Sequence, residues 1–243
     1  MKDNKGLERS TGIPLPPLIP GRLLKRYKRF LADVALDNGE AVTAHCPNSG
    51  RMIACSEPGR PVFLSFHDNP KRKLKYTWEL IEMPTSLVGV NTLLPNRLVA
   101  HAIENERVSE LSGYTEIKRE VKVGAHSRLD IMARSQGKRD CYIEVKNCTL
   151  VENGIARFPD AVTSRGLKHL GELIKLAEAG HRAVMFFLIQ RMDADLFQPA
   201  DDIDPAYGRE LRNAHARGVE IVAYDVQIDL ESISLNRPVK FKL

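Results

Sequence analysis

The stretch "SRLDIMARSQGKRDCYIEVKN", Ser127 to Asn147, decides how this chain is read. Two apolar, β-branched runs flank the turn-like "QGKRD", the pattern of a β-hairpin. With the hairpin centred on Gly137, Asp130 falls opposite Glu144, and Lys146 projects from the same face two residues on. Cross-strand partners on one face have Cβ atoms about 4.5–5.5 Å apart. Two carboxylates that close repel unless a cation lies between them. Mg²⁺ suits such a pair, because it takes one or two carboxylates together with water and phosphate oxygens. Lys146 would then stand beside the attacking water, able to orient it or hold it deprotonated. A slip of one residue turns the two acids to opposite faces, and the sequence does not fix that parity.

Glu-x-Lys recurs nearby at Glu116–Lys118 and Glu120–Lys122. There the charges alternate with Ile117, Arg119 and Val121, which describes a strand with one charged face in water. A tight turn at Gly124–Ala125 would bring Glu120 to the other flank of Asp130 as an accessory carboxylate. Lys122 is the poorer reading for the catalytic amine.

Upstream, Met1–Ile13 reads as a mobile polar tail leading into the proline-rich "IPLPPLIPG". Residues 14–84 hold short strands, among them "FLADVALDNGEAVTAHC", whose Asn38-Gly39 is a strong hairpin signal. About five such strands and no long helix suggest a small OB-like β-barrel. From residue 85 the pattern changes to helix, three strands, then alternating helix and buried strand, as in an α/β domain with a mixed sheet. "RAVMFFLIQ" is apolar without alternation and reads as a strand buried on both faces.

Residues 1–90 carry 14 Lys and Arg against 9 Asp and Glu, and residues 91–243 carry 22 of each. The whole net charge of +5 therefore lies in the first third, which points to a polyanionic partner there. "GRLLKRYKRF" supplies Arg22, Lys25, Arg26, Lys28 and Arg29 around Tyr27 and Phe30, and "NPKRKLK" adds Lys71, Arg72, Lys73 and Lys75. Cations interleaved with aromatics suit backbone phosphates and unpaired bases, although charge runs are commonly just solvated faces. No apolar run has the length of a membrane helix, and the polar start lacks a signal-peptide core, so no membrane and a cytoplasmic location are expected. Cys46, Cys55, Cys141 and Cys148 form no Cys-x-x-Cys pair. Reduced thiols and no zinc are the expectation. Assembly into homo-oligomers is left open.

Asp130, a hairpin and Glu144-Val145-Lys146 together resemble the core of the PD-(D/E)xK nuclease superfamily, with Leu129 where the usual proline would stand. More specifically, "RYKRFLADV", "PNSGRM", "GVNTLLPNRLV", "SRLDIMA", "YIEVKNCTL", "ARFPDAVTSRGLKHLGEL" and "FFLIQRMDADLFQPADDIDPAYGREL" are similar to the sugar fermentation stimulation protein (SfsA) family, over about residues 18–225. The resemblance implies an OB-like domain, a nuclease-like domain, DNA binding and a link to bacterial sugar utilisation, including maltose. It further implies a Mg²⁺ or Mn²⁺ site at Asp130, Glu144 and the Val145 carbonyl, with Glu104 as the acid supplied by the first helix. Glu104 is equally well a solvated helix charge. Arg165, Lys168 and His169 lie at helical spacing on one face and would grip a flanking phosphate; Gln190 and Arg191 would reach the same crevice. The expected function is largely sequence-independent DNA binding with metal-dependent phosphodiester hydrolysis. The alternatives are a non-catalytic DNA-binding regulator that keeps the nuclease-like fold, and a protein acting on another phosphate-bearing ligand.

Overall fold

Apolar alternation builds the first unit. In β3 (Leu31–Leu36) Ala32, Val34 and Leu36 turn inward while Asp33 and Ala35 do not, the two-residue period of a half-buried strand. The computed structural model describes residues 12–124 and 127–243. After β1 (Gly12–Pro14), β2 (Leu18–Tyr27), β3, β4 (Ala41–His45), β5 (Pro61–Phe66) and β6 (Tyr76–Met83) pair in the order β4-β3-β2-β5-β6. A parallel pairing of β4 with β6 closes them into a five-stranded barrel around Leu23, Val34, Leu64 and Trp78. The turn between β3 and β4 is the expected Asn38-Gly39, with Gly39 at φ 88. β7 (Ser86–Gly89), beyond the boundary expected at residue 84, still pairs with β6.

α1 (Pro95–Glu104) then leads into a meander of β8 (Glu116–Val123), β9 (Ser127–Arg134) and β10 (Cys141–Cys148). A small second sheet holds β11 (Leu150–Glu152), β12 (Ile155–Phe158), β14 (Leu196–Pro199) and β17 (Lys240–Phe241). α2 (Ser164–Glu178) carries the chain to β13 (Arg182–Ile189), and α3 (Pro205–Ala216) carries it to β15 (Glu220–Ile228) and β16 (Ser232–Pro238). The large sheet runs β1-β16-β15-β13-β10-β9-β8, with β10, β13 and β15 parallel. β13 is apolar on both sides for the reason expected. Val184, Phe186 and Leu188 pack on the α1 side, and Ala183, Met185 and Phe187 on the α2 and α3 side. Asp204 fixes both helix starts there, capping α3 at Tyr207 N (3.0 Å) and accepting from Thr163 N (2.9 Å), the N-cap of α2.

Gly12 and Ile13, read as part of a mobile tail, instead form the edge of the second domain's sheet, paired with Ser234 and Ile233. Ile13 is buried, so apolar burial and two ladder partners hold this piece in place. Residues 1–11 of that expected tail lie outside the described residues.

Gln190 and Arg191, read as reaching the crevice, join the two units instead. Arg191 is 4% exposed; it pairs with Asp193 (2.7 Å) and donates to the carbonyls of Ala54 and Thr149. The main-chain carbonyl of Gln190 accepts from Gly89 N, and its side-chain Nε2 donates to Asn147 (2.8 Å). Gly89 admits no side chain, because a Cβ there would sit 2.4 Å from Gln190 Oε1. Met52 N donates to Asp160 (2.8 Å) across the same boundary. Removing one partner of a buried ion pair typically costs several kcal/mol. Arg191→Ala is therefore expected to lose about 3 kcal/mol in urea denaturation and to separate the melting of barrel and sheet; a single unshifted transition would contradict this role.

Candidate active site

The hairpin register settles the parity that the sequence left open. Cys141 pairs with Ala133, Tyr142 with Met132 and Ile143 with Ile131, which carries Asp130 to the position opposite Glu144. The ladder stops there. Asp130 Oδ2 takes the amide of Val145 (2.8 Å) in place of a backbone partner, and the strands part. A crevice of about 240 Å³ opens at this fork, lined by Asp130, Glu144, Lys146, Asn96, Thr163 and Arg165 among others. The N-terminal ends of both α1 and α2 border it, and those ends carry partial positive charge.

Glu144 is 2% exposed. Its Oε1 accepts from Lys146 Nζ (2.6 Å) and meets His169 Nδ1 on α2. Burial raises the pKa of this carboxyl, but the His169 hydrogen bond and the Lys146 charge outweigh it and hold the group below the usual carboxylate range. Glu144 Oε2 is buried with no partner among the described residues. Asp130 also accepts from Asn96 Nδ2 (2.7 Å). Desolvation, followed by repulsion from Glu144, pushes its carboxyl up to about 6. One acid with an unsatisfied buried oxygen, beside another whose ionisation is opposed, is an arrangement that a divalent cation would relieve. Among the described residues no three His, Cys, Asp or Glu side chains cluster as a complete ligand set. Backbone carbonyls, water and phosphate oxygens would have to complete the shell, as is usual for Mg²⁺.

Other expected members fall elsewhere. Glu104 ends α1, eight residues and so about 12 Å of helix rise beyond Asn96. It is exposed and lines a separate hollow with Arg97, His101 and Arg119. The helix presents its start to the crevice rather than its end, and its contribution is Asn96, which the sequence reading missed. An Asn directly after the helix-opening Pro95 was the available signal. Glu120 does lie across from Asp130 in register, between Arg119↔Ile131 and Val121↔Leu129. It is exposed with a left-handed φ of 56 and contributes nothing to the crevice lining. Arg165, Lys168 and His169 do not share one exposed face. His169 turns inward to Glu144, Arg165 stands at the rim with Nε 3.5 Å from His169 Nε2, and Lys168 is exposed outside the crevice lining.

In the barrel, the half-buried Arg26 is engaged by the protein's own backbone. Its guanidinium donates to the carbonyls of Asn48 and Gly50 (both 2.8 Å) and of Arg51 (3.2 Å), holding the "PNSGRM" loop. Arg22 donates to Gly59 O (3.2 Å), Lys25 pairs with Asp33 (3.4 Å), and Arg72 donates to Thr77 (2.8 Å). Lys28, Arg29, Lys71 and Lys73 are exposed.

A closed OB barrel followed by a mixed sheet whose second and third meander strands present an acidic pair defines the class. The chain belongs to the sugar fermentation stimulation protein family. Residues 93–232 match the "Sugar fermentation stimulation protein RE domain" and residues 24–90 the "SfsA N-terminal OB domain". It is 55% identical over 221 residues to the sugar fermentation stimulation protein homolog of Geotalea daltonii, covering 91% of this chain and 95% of that one. It is 53% identical over 223 residues to the homolog of Acidithiobacillus ferrooxidans, covering 91% and 96%. SfsA of Pyrococcus furiosus, solved in complex with Ca²⁺, superposes with a TM-score of 0.87 at 29% identity, over 97% of this chain and all of that one. No helix among the described residues is long and apolar enough to cross a membrane.

The Asp130 shift sets a pH dependence. The unfolded chain releases this proton near 3.8 and the folded chain near 6. The folded state thus binds more protons between those values, and stability from this group falls as pH rises through them. In EDTA, the wild type is expected to lose about 2 kcal/mol relative to Asp130→Asn between pH 4 and 7, a value discounted for partial exposure. Parallel urea stability curves for the two proteins would contradict the shift.

Proposed function

We propose that this protein binds DNA largely without regard to sequence and hydrolyses phosphodiester bonds with Mg²⁺ or Mn²⁺ held at Asp130 and Glu144. The observation that carries the reading is the convergence of Asp130, Glu144 and Lys146 in one crevice, with Glu144 Oε2 left bare. The oxygen-only donor pair suits a hard cation, and the related P. furiosus protein was solved with another of that class, Ca²⁺. The ion would neutralise charge developing on the phosphate.

This chain's residues supply the rest. Asn96 and the Val145 amide hold Asp130 in one orientation. His169 fixes Glu144 from below, and Lys146 lies where it would orient the attacking water. The start of α2, with Arg165 at the rim, favours a phosphate at the crevice mouth. Outside the crevice, the exposed Lys71 and Lys73 supply sequence-independent attraction, so affinity is expected to fall with salt. The relatives' name suggests that this activity serves sugar fermentation.

A second reading has its own observation. Lys146, Glu144 and His169 are hydrogen-bonded to one another, as a retained structural core in a non-catalytic DNA-binding regulator would be. Lys146→Ala separates the two. On the catalytic reading it lowers cleavage of DNA in Mg²⁺ or Mn²⁺ by at least about 10²-fold while binding is kept. If the wild type cuts no duplex, single-stranded, flap or junction DNA with either metal, the regulator reading stands.

A further inference from the structure

The crevice at Asp130 does not end at its rim. A trough of about 390 Å³ continues from it between barrel and sheet, and Thr92, Asn147 and Thr163 line both. Its barrel wall is made of Arg29 and of Asn48, Ser49, Gly50 and Arg51. We propose that this trough is the track for one unpaired DNA strand, so that the substrate is single-stranded DNA or an unpaired segment rather than intact duplex. The proposal rests on the phosphodiesterase reading for its chemistry, but its binding claim can be tested without it.

Three independent features carry it. The first is the backbone of loop 48–51. Arg26 draws the carbonyls of Asn48, Gly50 and Arg51 to itself. In a trans peptide the N–H points opposite to the C=O of the same unit. The amides of Ser49 and Arg51 are therefore turned away from Arg26, and neither donates to any described residue. Asp160 takes the third such amide, that of Met52 (2.8 Å), from across the trough. Outward-turned backbone amides on one loop make an anion-binding concavity. A half-buried arginine is thus spent on facing this loop's donors outward.

The second feature is the turn between β2 and β3. Lys28 and Arg29 both have left-handed backbones, at φ 48 and 63. Asn and Gly adopt that conformation far more readily than long side chains do. The turn keeps two strained cations where "NG" would fold more easily. One of them lines the trough, and Phe30 beside them is 48% exposed. Backbone strain retained without a packing reason points to a ligand, and cations beside an exposed aromatic suit phosphates and an unstacked base.

The third feature is depth. Glu144 sits on the crevice floor at 2% exposure, and the adjoining trough is of ligand size. A single strand bends into a hollow of that kind more readily than a duplex, which is stiff over about 150 bp.

The test uses the full chain in EDTA and measures fluorescence anisotropy with a labelled oligo-dT and a blunt duplex of equal length across a salt series. The wild type is expected to bind the single strand at least about tenfold more tightly. The double variant Lys28→Asn with Arg29→Gly is expected to melt at the same or a higher temperature, yet to lose at least about tenfold in oligo-dT affinity. Its salt slope should fall by about 0.7 for each phosphate contact removed. Equal affinity for duplex, or an unaltered Kd in the turn variant, would overturn the track. Lys146→Ala serves as the control for the parent reading. If it and the wild type both fail to cut while the single-strand preference and its dependence on the turn persist, the nuclease reading falls and the track stands. Cleavage that survives with no dependence on the turn leaves the nuclease and removes the track.

Discussion

A carboxylate almost wholly out of water is costly unless its surroundings compensate it. Glu144 is that carboxylate, and the second domain is arranged around it. β10 lies in the middle of a seven-stranded sheet between β9 and β13, which buries Glu144. The same strand returns Lys146 to one of its oxygens, and α2 brings His169 to that oxygen as well. The other oxygen has no partner among the described residues, and Asp130 lines the same crevice. The Lys146 ammonium and the His169 ring meet one oxygen of Glu144, and Asp130 shares its crevice, an asymmetric environment that a cation between the two acids would relieve.

The barrel is bound firmly to this site. Arg191, Gln190 and Asp160, all from the sheet domain, hold barrel segments at Ala54, Gly89 and Met52. Thr92 N and Oγ1 both donate to Pro47 O at the junction. The loop 48–51 is thereby fixed relative to Asp130 rather than carried on a swinging domain. Interfaces this polar and this buried are expensive to open, so a ligand seated in the trough would meet a preorganised surface.

Much of this was legible in the chain. The hairpin about Gly137 followed from its turn residues and flanking apolar runs, and Gly137 has the left-handed φ (77) that such a turn uses. The barrel followed from Asn38-Gly39 and short alternating strands, and β13 from its unbroken apolar run. What could not be read were directions and distant partners. Glu104 and Asn96 sit on one helix, and periodicity does not say which end faces the sheet. Arg26 looked like its neighbours in a basic run, yet it folds back on three carbonyls contributed more than twenty residues later. His169 had the spacing of a surface cation but the burial of a core residue. Gly12–Pro14 pairs with residues over two hundred positions away, a partnership that no local pattern encodes.

The central claim is that Asp130 and Glu144 share a divalent ion. Anomalous diffraction from crystals soaked in Mn²⁺ tests it most directly. The account predicts one peak between Asp130 and Glu144 Oε2 that disappears in Asp130→Asn. Crystals with no peak there, at a Mn²⁺ concentration that supports cleavage in solution, would contradict it.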